Sequence, residues 1–113
     1  MTGKDVVDRA YTMIADGGGI RNTVGEMVIF LNDGVRDLIA RRPYLALNDD
    51  GSLDADYTDL TSGNYNTETL PFEEWIREPL AHYISYRVFE LDAEDEANMG
   101  LSIRHQALYM QAT

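Results

Sequence analysis

The sequence contains no cysteine, which removes disulfides, thiolate metal ligands and cysteine nucleophiles together. A disulfide-stapled secreted module is thereby excluded. Lysine is nearly absent, since Lys4 is the only one, so lysine-based covalent or general-base chemistry has almost nothing to work with. Positive charge as a whole is scarce: 9 Lys plus Arg face 20 Asp plus Glu, for a formal net charge of −11. A field of that sign repels DNA, RNA and anionic membranes, so tight nucleic-acid binding is a poor candidate for the main activity. The same charge penalises non-specific self-association, and any oligomer must use well-matched interfaces. Long apolar runs are also missing. No window approaches the ~18 residues of a spanning helix. Met1-Thr2-Gly3-Lys4-Asp5 is followed by no apolar stretch of signal-peptide length. A soluble protein with no membrane partner is expected.

What is present suits one globular domain. The 113 residues leave no room for two domains, and the apolar fraction of 44% and charged fraction of 26% are ordinary. A chain of this size buries only about two-thirds of its unfolded surface, so apolar area is left for a partner to cover.

Helical periodicity dominates. Val6, Val7, Ala10, Tyr11 and Ile14 form one stripe of a helix from about Lys4 to Ala15, which Gly17-Gly18-Gly19 ends. Thr23 and Glu26 have capping-box spacing and start a second helix. Met27, Val28, Leu31, Val35, Leu38 and Ile39 repeat along it; Arg41 and Arg42 suit its C-terminal end, and Pro43 stops it. From Tyr44 to Pro71 the pattern lapses into turn chemistry at Asn48–Ser52 and Ser62–Asn64. Short runs at 44–47, 56–60 and 67–70 suggest a loop carrying a two-stranded hairpin. A loop this long is commonly functional, and it reads as an arm that orders against another subunit.

Helical spacing returns with Trp75, Ile76, Leu80, Tyr83, Ile84, Val88 and Leu91, over about Glu73 to Asp92. Pro79 lies inside, so the helix either kinks there or starts there. A last helix follows the acidic stretch 92–96 and is expected to turn Ala97, Leu101, Arg104 and Leu108 to one side. The predicted fold is mainly α: a small bundle of about four helices, one domain over 1–113, with a long loop or β-hairpin arm at about 44–71 between the second and third helices.

Candidate chemistry is thin. His82 and His105 lie on different helices without a companion at i+3 or i+4, and read as isolated surface or interface histidines rather than metal ligands. Asn48–Asp54 resembles a calcium loop, but aligning Gly51 with the invariant glycine puts Ala46 and Tyr57 where carboxylates are required. A polar turn is the better reading. Gly17-Gly18-Gly19 lacks the Lys-Ser/Thr of a phosphate-binding loop. The acids from Glu90 to Glu96 have no apolar cleft around them to make an acid or base, and no serine has a partnered histidine. No catalytic, cofactor or metal site is predicted, and an enzyme is not expected. Seven tyrosines and Trp75 exceed what a small core requires, which is an interface signature.

The stretch Arg21-Asn22-Thr23-Val24-Gly25-Glu26, with Leu31-Asn32-Asp33, Arg36 and Arg42-Pro43, resembles head-to-tail adaptor proteins of tailed bacteriophages, also called connector or head-completion proteins. Leu70-Pro71, the helix from Pro79 to Phe89, Asp92-Ala93-Glu94 and Asn98 extend the likeness to most of the chain, from about Val6 to Tyr109. Asn22 departs from it, because family members often carry an aromatic after the Arg. The 44–70 region is also compact for the family.

The resemblance implies a homo-oligomeric ring, commonly of about twelve copies, joined by heterologous contacts. Such a ring docks under the portal protein, receives tail or nozzle proteins, and lets genomic DNA pass without sequence-specific binding. It would reside in the virion at the portal vertex after synthesis in the host cytoplasm. Candidate interface residues are Tyr44, Leu53, Tyr57, Tyr65, Trp75, Tyr109 and Met110. The arm or the C-terminal end would supply a patch. Glu90, Asp92, Glu94, Asp95 and Glu96 are candidates for lining the DNA channel, where carboxylates repel phosphate. The alternative is a small acidic regulatory or anti-host binding protein, acting as a DNA mimic; a small metal-dependent enzyme ranks third.

Overall fold

Helix boundaries follow the capping chemistry closely. The structure, a computed structural model, describes residues 1–15, 21–46, 50, 52, 57–91 and 94–113. Among these are four α-helices: α1 (Gly3–Met13), α2 (Val24–Arg41), α3 (Arg77–Glu90) and α4 (Glu96–Ala112). At the start of α1 the Thr2 hydroxyl accepts from the Asp5 N–H, and the Asp5 carboxylate accepts from the Thr2 N–H. This complete two-way box lies at Thr2–Asp5; at Thr23 the hydroxyl accepts the Glu26 N–H. Helix α1 ends earlier than expected, at Met13, and Ala15 adopts a left-handed φ of 57°. That reversal costs a non-glycine residue about 1–2 kcal/mol and comes before the glycines. The Gly17–Gly19 turn itself lies outside the described residues.

Pro79 sits in the first turn of α3, where no intrahelical partner for its missing N–H is needed. A 3-10 turn over Glu74–Ile76 leads into it, so the helix starts near the proline and does not kink around it.

Helix α3 is the hub. Helices α1, α2 and α4 all pack on it, and Leu80, Ala81, Ile84 and Ser85 are fully buried between them. A helix covered on several sides shows no amphipathic stripe, so burial all round replaces periodicity. The Ser85 hydroxyl, inside this core, donates to the Ala81 carbonyl at 2.8 Å. Gly34 of α2 lets the Tyr83 ring approach closely, since a Cβ there would lie 2.8 Å from Tyr83 Cδ1. Helix α4 runs antiparallel to α3, as the pairs Tyr86–Ser102 and His82–His105 require. The whole measures 45 × 30 × 19 Å. The short dimension equals about two helix layers.

In its described residues the connection from α2 to α3 is a loop and not a β-hairpin. No described residue in it belongs to a strand; Thr69 makes one antiparallel bridge to Thr2. Its described part is drawn onto the body because Leu60, Leu70 and Phe72 enter the core. Buried Asn32 on α2 holds it there. The Asn32 Nδ2 donates to the Leu60 carbonyl (2.9 Å), while Oδ1 accepts from the Leu60 N–H (2.9 Å) and the Tyr57 hydroxyl (2.6 Å). Arg36, one turn on, reaches Asp59 at 2.6 Å. Further along, Lys4 N–H donates to the Tyr65 carbonyl and Leu70 N–H to the Met1 carbonyl, each at 2.9 Å. Gly3 permits this seam, as a Cβ there would lie 2.9 Å from the Tyr65 carbonyl oxygen.

Asn32→Ala leaves the Leu60 backbone groups and the Tyr57 hydroxyl without their partner. We expect a loss of about 2–3 kcal/mol in urea unfolding, with proteolysis between residues 57 and 70 appearing before cleavage elsewhere. Glycine-to-alanine changes in two helices should have opposite signs. Gly34→Ala displaces the Tyr83 ring and should destabilise by about 1–3 kcal/mol. Gly100→Ala meets open space on α4 and should raise the urea midpoint by the equivalent of about 0.5–1 kcal/mol.

Candidate interaction surfaces

Most of the tyrosines turn inward. Tyr83 packs edge-on against Tyr86 and Tyr109, with ring centroids 5.2 and 5.0 Å away. Tyr109, expected at an interface, is only 2% exposed and seats α4 on α2. Its hydroxyl donates to the Asp37 carboxylate, which also accepts from Arg41 Nε at 3.0 Å. Arg41 lies over the Tyr109 ring at 5.2 Å. An inward phenol with a charged acceptor is part of the core, so the interface assignment of Tyr109 is corrected. Tyr57 and Tyr65 are half-buried in the α2–α3 connection, with the Tyr57 hydroxyl on Asn32 and the Tyr65 carbonyl on Lys4. Leu53 lies outside the described residues.

Three of the expected interface residues do face outward. Tyr44 (62% exposed) and Trp75 (49% exposed) share a shallow depression with Leu45, Glu73 and Ile76, at the corner between the end of α2 and the turn before α3. Met110 is 50% exposed on α4. It belongs to a longer stripe that sequence reasoning did not single out, Met99, Ile103 and Met110, with Ile103 61% exposed. Helix α4 is rotated relative to expectation. Asn98, Ser102, His105 and Tyr109 face α3, whereas Ala97, Leu101 and Arg104 are exposed and Leu108 is half-buried. Polar residues win the inner face because α3 offers them partners there: the Tyr86 carbonyl accepts from Ser102 Oγ at 3.0 Å. The signal available in the sequence was the spacing 99, 103, 110, a second apolar stripe on one helix.

The histidines do not stay apart. His82 and His105 meet across α3 and α4 with their Nδ1 atoms 2.8 Å apart, which corrects their reading as isolated side chains. Burial depresses the basicity of both; the Glu78 carboxylate opposes this at His82. Among the described residues, no group of three or more His, Asp and Glu side chains is placed to hold a metal ion. A groove of ≈ 260 Å³ lies where α1, α2 and α3 end or begin, lined by Ile14, Asn22, Glu26, Val88, Phe89 and Asn98 among others. It brings together Glu26 and Asn98, two residues of the phage-adaptor resemblance that are far apart in sequence.

Glu90, Glu94, Asp95 and Glu96 are exposed around the junction of α3 and α4, and Asp92 lies outside the described residues. Asp95 has a local task, since its carboxylate accepts from the Ala97 N–H at 2.8 Å and caps α4. The calcium-like segment is only partly described: Asp50 Oδ1 accepts from the Ser52 N–H and hydroxyl, as in a polar turn. Cations are turned to internal use. Lys4, Arg9, Arg36, Arg41 and Arg87 each pair with a carboxylate of the chain itself. No described helix is long and apolar enough to cross a membrane.

Burial, aided by the Asp59 charge, pushes the Tyr57 phenol up to about 12. Burial and the bond to Asp37 push Tyr109 up as well. An unfolded tyrosine ionises near pH 10, so the folded chain holds protons that the unfolded chain releases. The contribution of Tyr57 is complete below about pH 10 and fades as pH rises toward about 12. Urea midpoints measured from pH 9 to 12 should therefore fall, and Tyr57→Phe should reduce the slope.

No family model matches the chain, and neither a curated protein nor a solved structure matches it.

Proposed function

We propose that this chain is a structural assembly protein, a head-to-tail adaptor that forms a ring under the portal of a tailed phage. The observation that carries the reading is the pair of unlike apolar patches on one acidic domain. One is the Tyr44–Trp75 corner; the other is the Met99–Ile103–Met110 stripe of α4. Two different patches on one molecule suit a heterologous contact, in which the corner of one copy meets α4 of the next. Large exposed aromatic and aliphatic side chains are also the usual anchors of such contacts.

The resemblance carried by Thr23, Asn32, Asp33, Arg36 and Arg42 supports the same reading. Those residues cap α2 and fasten other parts of the chain to it. The excess of exposed carboxylates supports a role beside passing DNA, which a ring lined by Glu90, Glu94, Asp95 and Glu96 repels. In this reading the patch that meets the neighbouring copy is the Tyr44–Trp75 corner, not the 57–70 segment, which the core holds. Tail or nozzle proteins attach on the opposite side, and the protein is a component of the virion.

Co-expression with a tailed-phage portal protein, followed by native mass spectrometry and electron microscopy, tests the proposal. A ring on the portal is expected. Trp75→Ala and Ile103→Asp should each abolish it while leaving the helical circular dichroism intact. A chain that stays a single copy beside the portal, or rings unaffected by both substitutions, would overturn the reading.

A further inference from the structure

His82 and His105 occupy the seam between α3 and α4. Their ring centroids are 5.1 Å apart, and Phe89 stacks on His105 at 5.7 Å. With the Nδ1 atoms at 2.8 Å, one nitrogen must donate and the other must accept. A first added proton goes to the Nε2 of the donor ring and leaves the bond in place. A second must go to the accepting Nδ1. That removes the only acceptor and places two imidazolium rings side by side in a half-buried seam, where their repulsion is weakly screened.

We propose that His82 and His105 form a proton-operated latch that holds α4 on α3 until both rings are charged, and releases it in acid.

The surroundings favour release over tolerance of the second proton. The charged groups facing the pair are Glu78 on α3, Arg9 on α1 and Arg104 on α4. Glu78 is the one anion, and Arg9 already forks it with bonds of 2.7, 2.9 and 3.2 Å. Arg9 offsets Glu78, so Arg104 leaves these three groups with one net positive charge beside the pair. Burial first holds both imidazoles below their ordinary value; at His82 the Glu78 carboxylate opposes it while Arg9 and Arg104 add to it, and at His105 the His82 ring and then Arg104 add to it. The sign follows: an opened seam takes up protons that the closed seam refuses. The stability contributed by the pair is complete above the ordinary imidazole value of about 6.5 and is lost as pH falls below it.

Release centres on this seam because, among the described residues, α3 is the helix against which α4 packs along its length; only its C-terminal end is also tied to α2, by Tyr109 on Asp37 and by Arg41 and Arg42 on Thr113. The other bond across this seam, from Ser102 Oγ to the Tyr86 carbonyl, does not titrate. The latch requires only this fold and is independent of ring assembly.

Hydrogen exchange of the full chain between about pH 7.5 and 5, corrected for the intrinsic exchange rate, reads the latch directly. Below the imidazole range the opening constant of the α4 amides should rise about tenfold per pH unit for each linked proton, while α2 keeps its protection. The double variant His82→Gln/His105→Gln replaces the rings with neutral amides and should lose that slope. An α4 profile flat with pH in the parent chain, or the same acid slope in the variant, would overturn the proposal. Should the variant not fold, imidazole 15N shifts of the parent chain decide. Unequal, coupled protonation steps are expected; two independent steps at the ordinary imidazole value would sink the latch.

Discussion

The structure depends on one carboxamide. The connection between α2 and α3 has to cross the open side of the core, and an irregular backbone there brings polar groups into an apolar setting. Asn32 meets them with a donor and an acceptor matched to the Leu60 carbonyl and N–H, and its oxygen also receives the Tyr57 hydroxyl. Neither an aliphatic side chain nor a carboxylate supplies both functions. With Leu60 fixed, Leu70 and Phe72 can close the core behind it, and Thr2 and Lys4 can tie the start of α1 to the same segment. Among the described residues, no buried side-chain polar atom is left without a hydrogen bond.

A second constraint comes from charge. Surface ion pairs contribute little each, typically about 0–1 kcal/mol, and Arg9–Glu78, Arg36–Asp59 and Arg87–Asp33 are at least partly exposed. Their larger consequence is positional. Arg87 joins α3 to Asp33 and to the Tyr83 hydroxyl, and covers the Phe30 ring at 4.9 Å. Arg41 and Arg42 reach Thr113 at the end of α4. One face of α2 thereby gathers α3 and α4 through Asp33, Asp37 and Arg41, spaced four residues apart. The outside stays predominantly anionic because 20 acids face only 9 Lys plus Arg.

The helices were largely legible because their ends are chemical. Thr23, Pro43 and the proline in the first turn of α3 act through rules that need no knowledge of the rest of the fold. The same rule applied to Thr2 and Asp5 would have found the start of α1. What stayed hidden was tertiary. Nothing local distinguishes Asn32 as a clamp from an exposed Asn, because its partner is 28 residues away. The meeting of His82 with His105 likewise depends on how α4 lies on α3. Helix α4 defeated periodicity for a further reason: it is apolar on more than one side, and buried hydrogen bonds rather than hydrophobicity select the inner one. The loop between α2 and α3 was legible as a loop, but its polar turns concealed Leu60 and Leu70, whose burial binds the described part of the segment to the body.

The outward stripe of α4 has a consequence for how this protein can change over time. Met99, Ile103 and Met110 are half-exposed or more, so exchanging them disturbs the interior little. Substitutions at such sites usually alter stability by no more than about 0.5 kcal/mol. The inner side of the same helix, from Ser102 to Tyr109, has no such freedom. Under the proposed ring contact, a single helix would separate inheritance of the fold from choice of neighbour: its outer edge can be refitted, and new associations can arise, without the molecule first being destabilised.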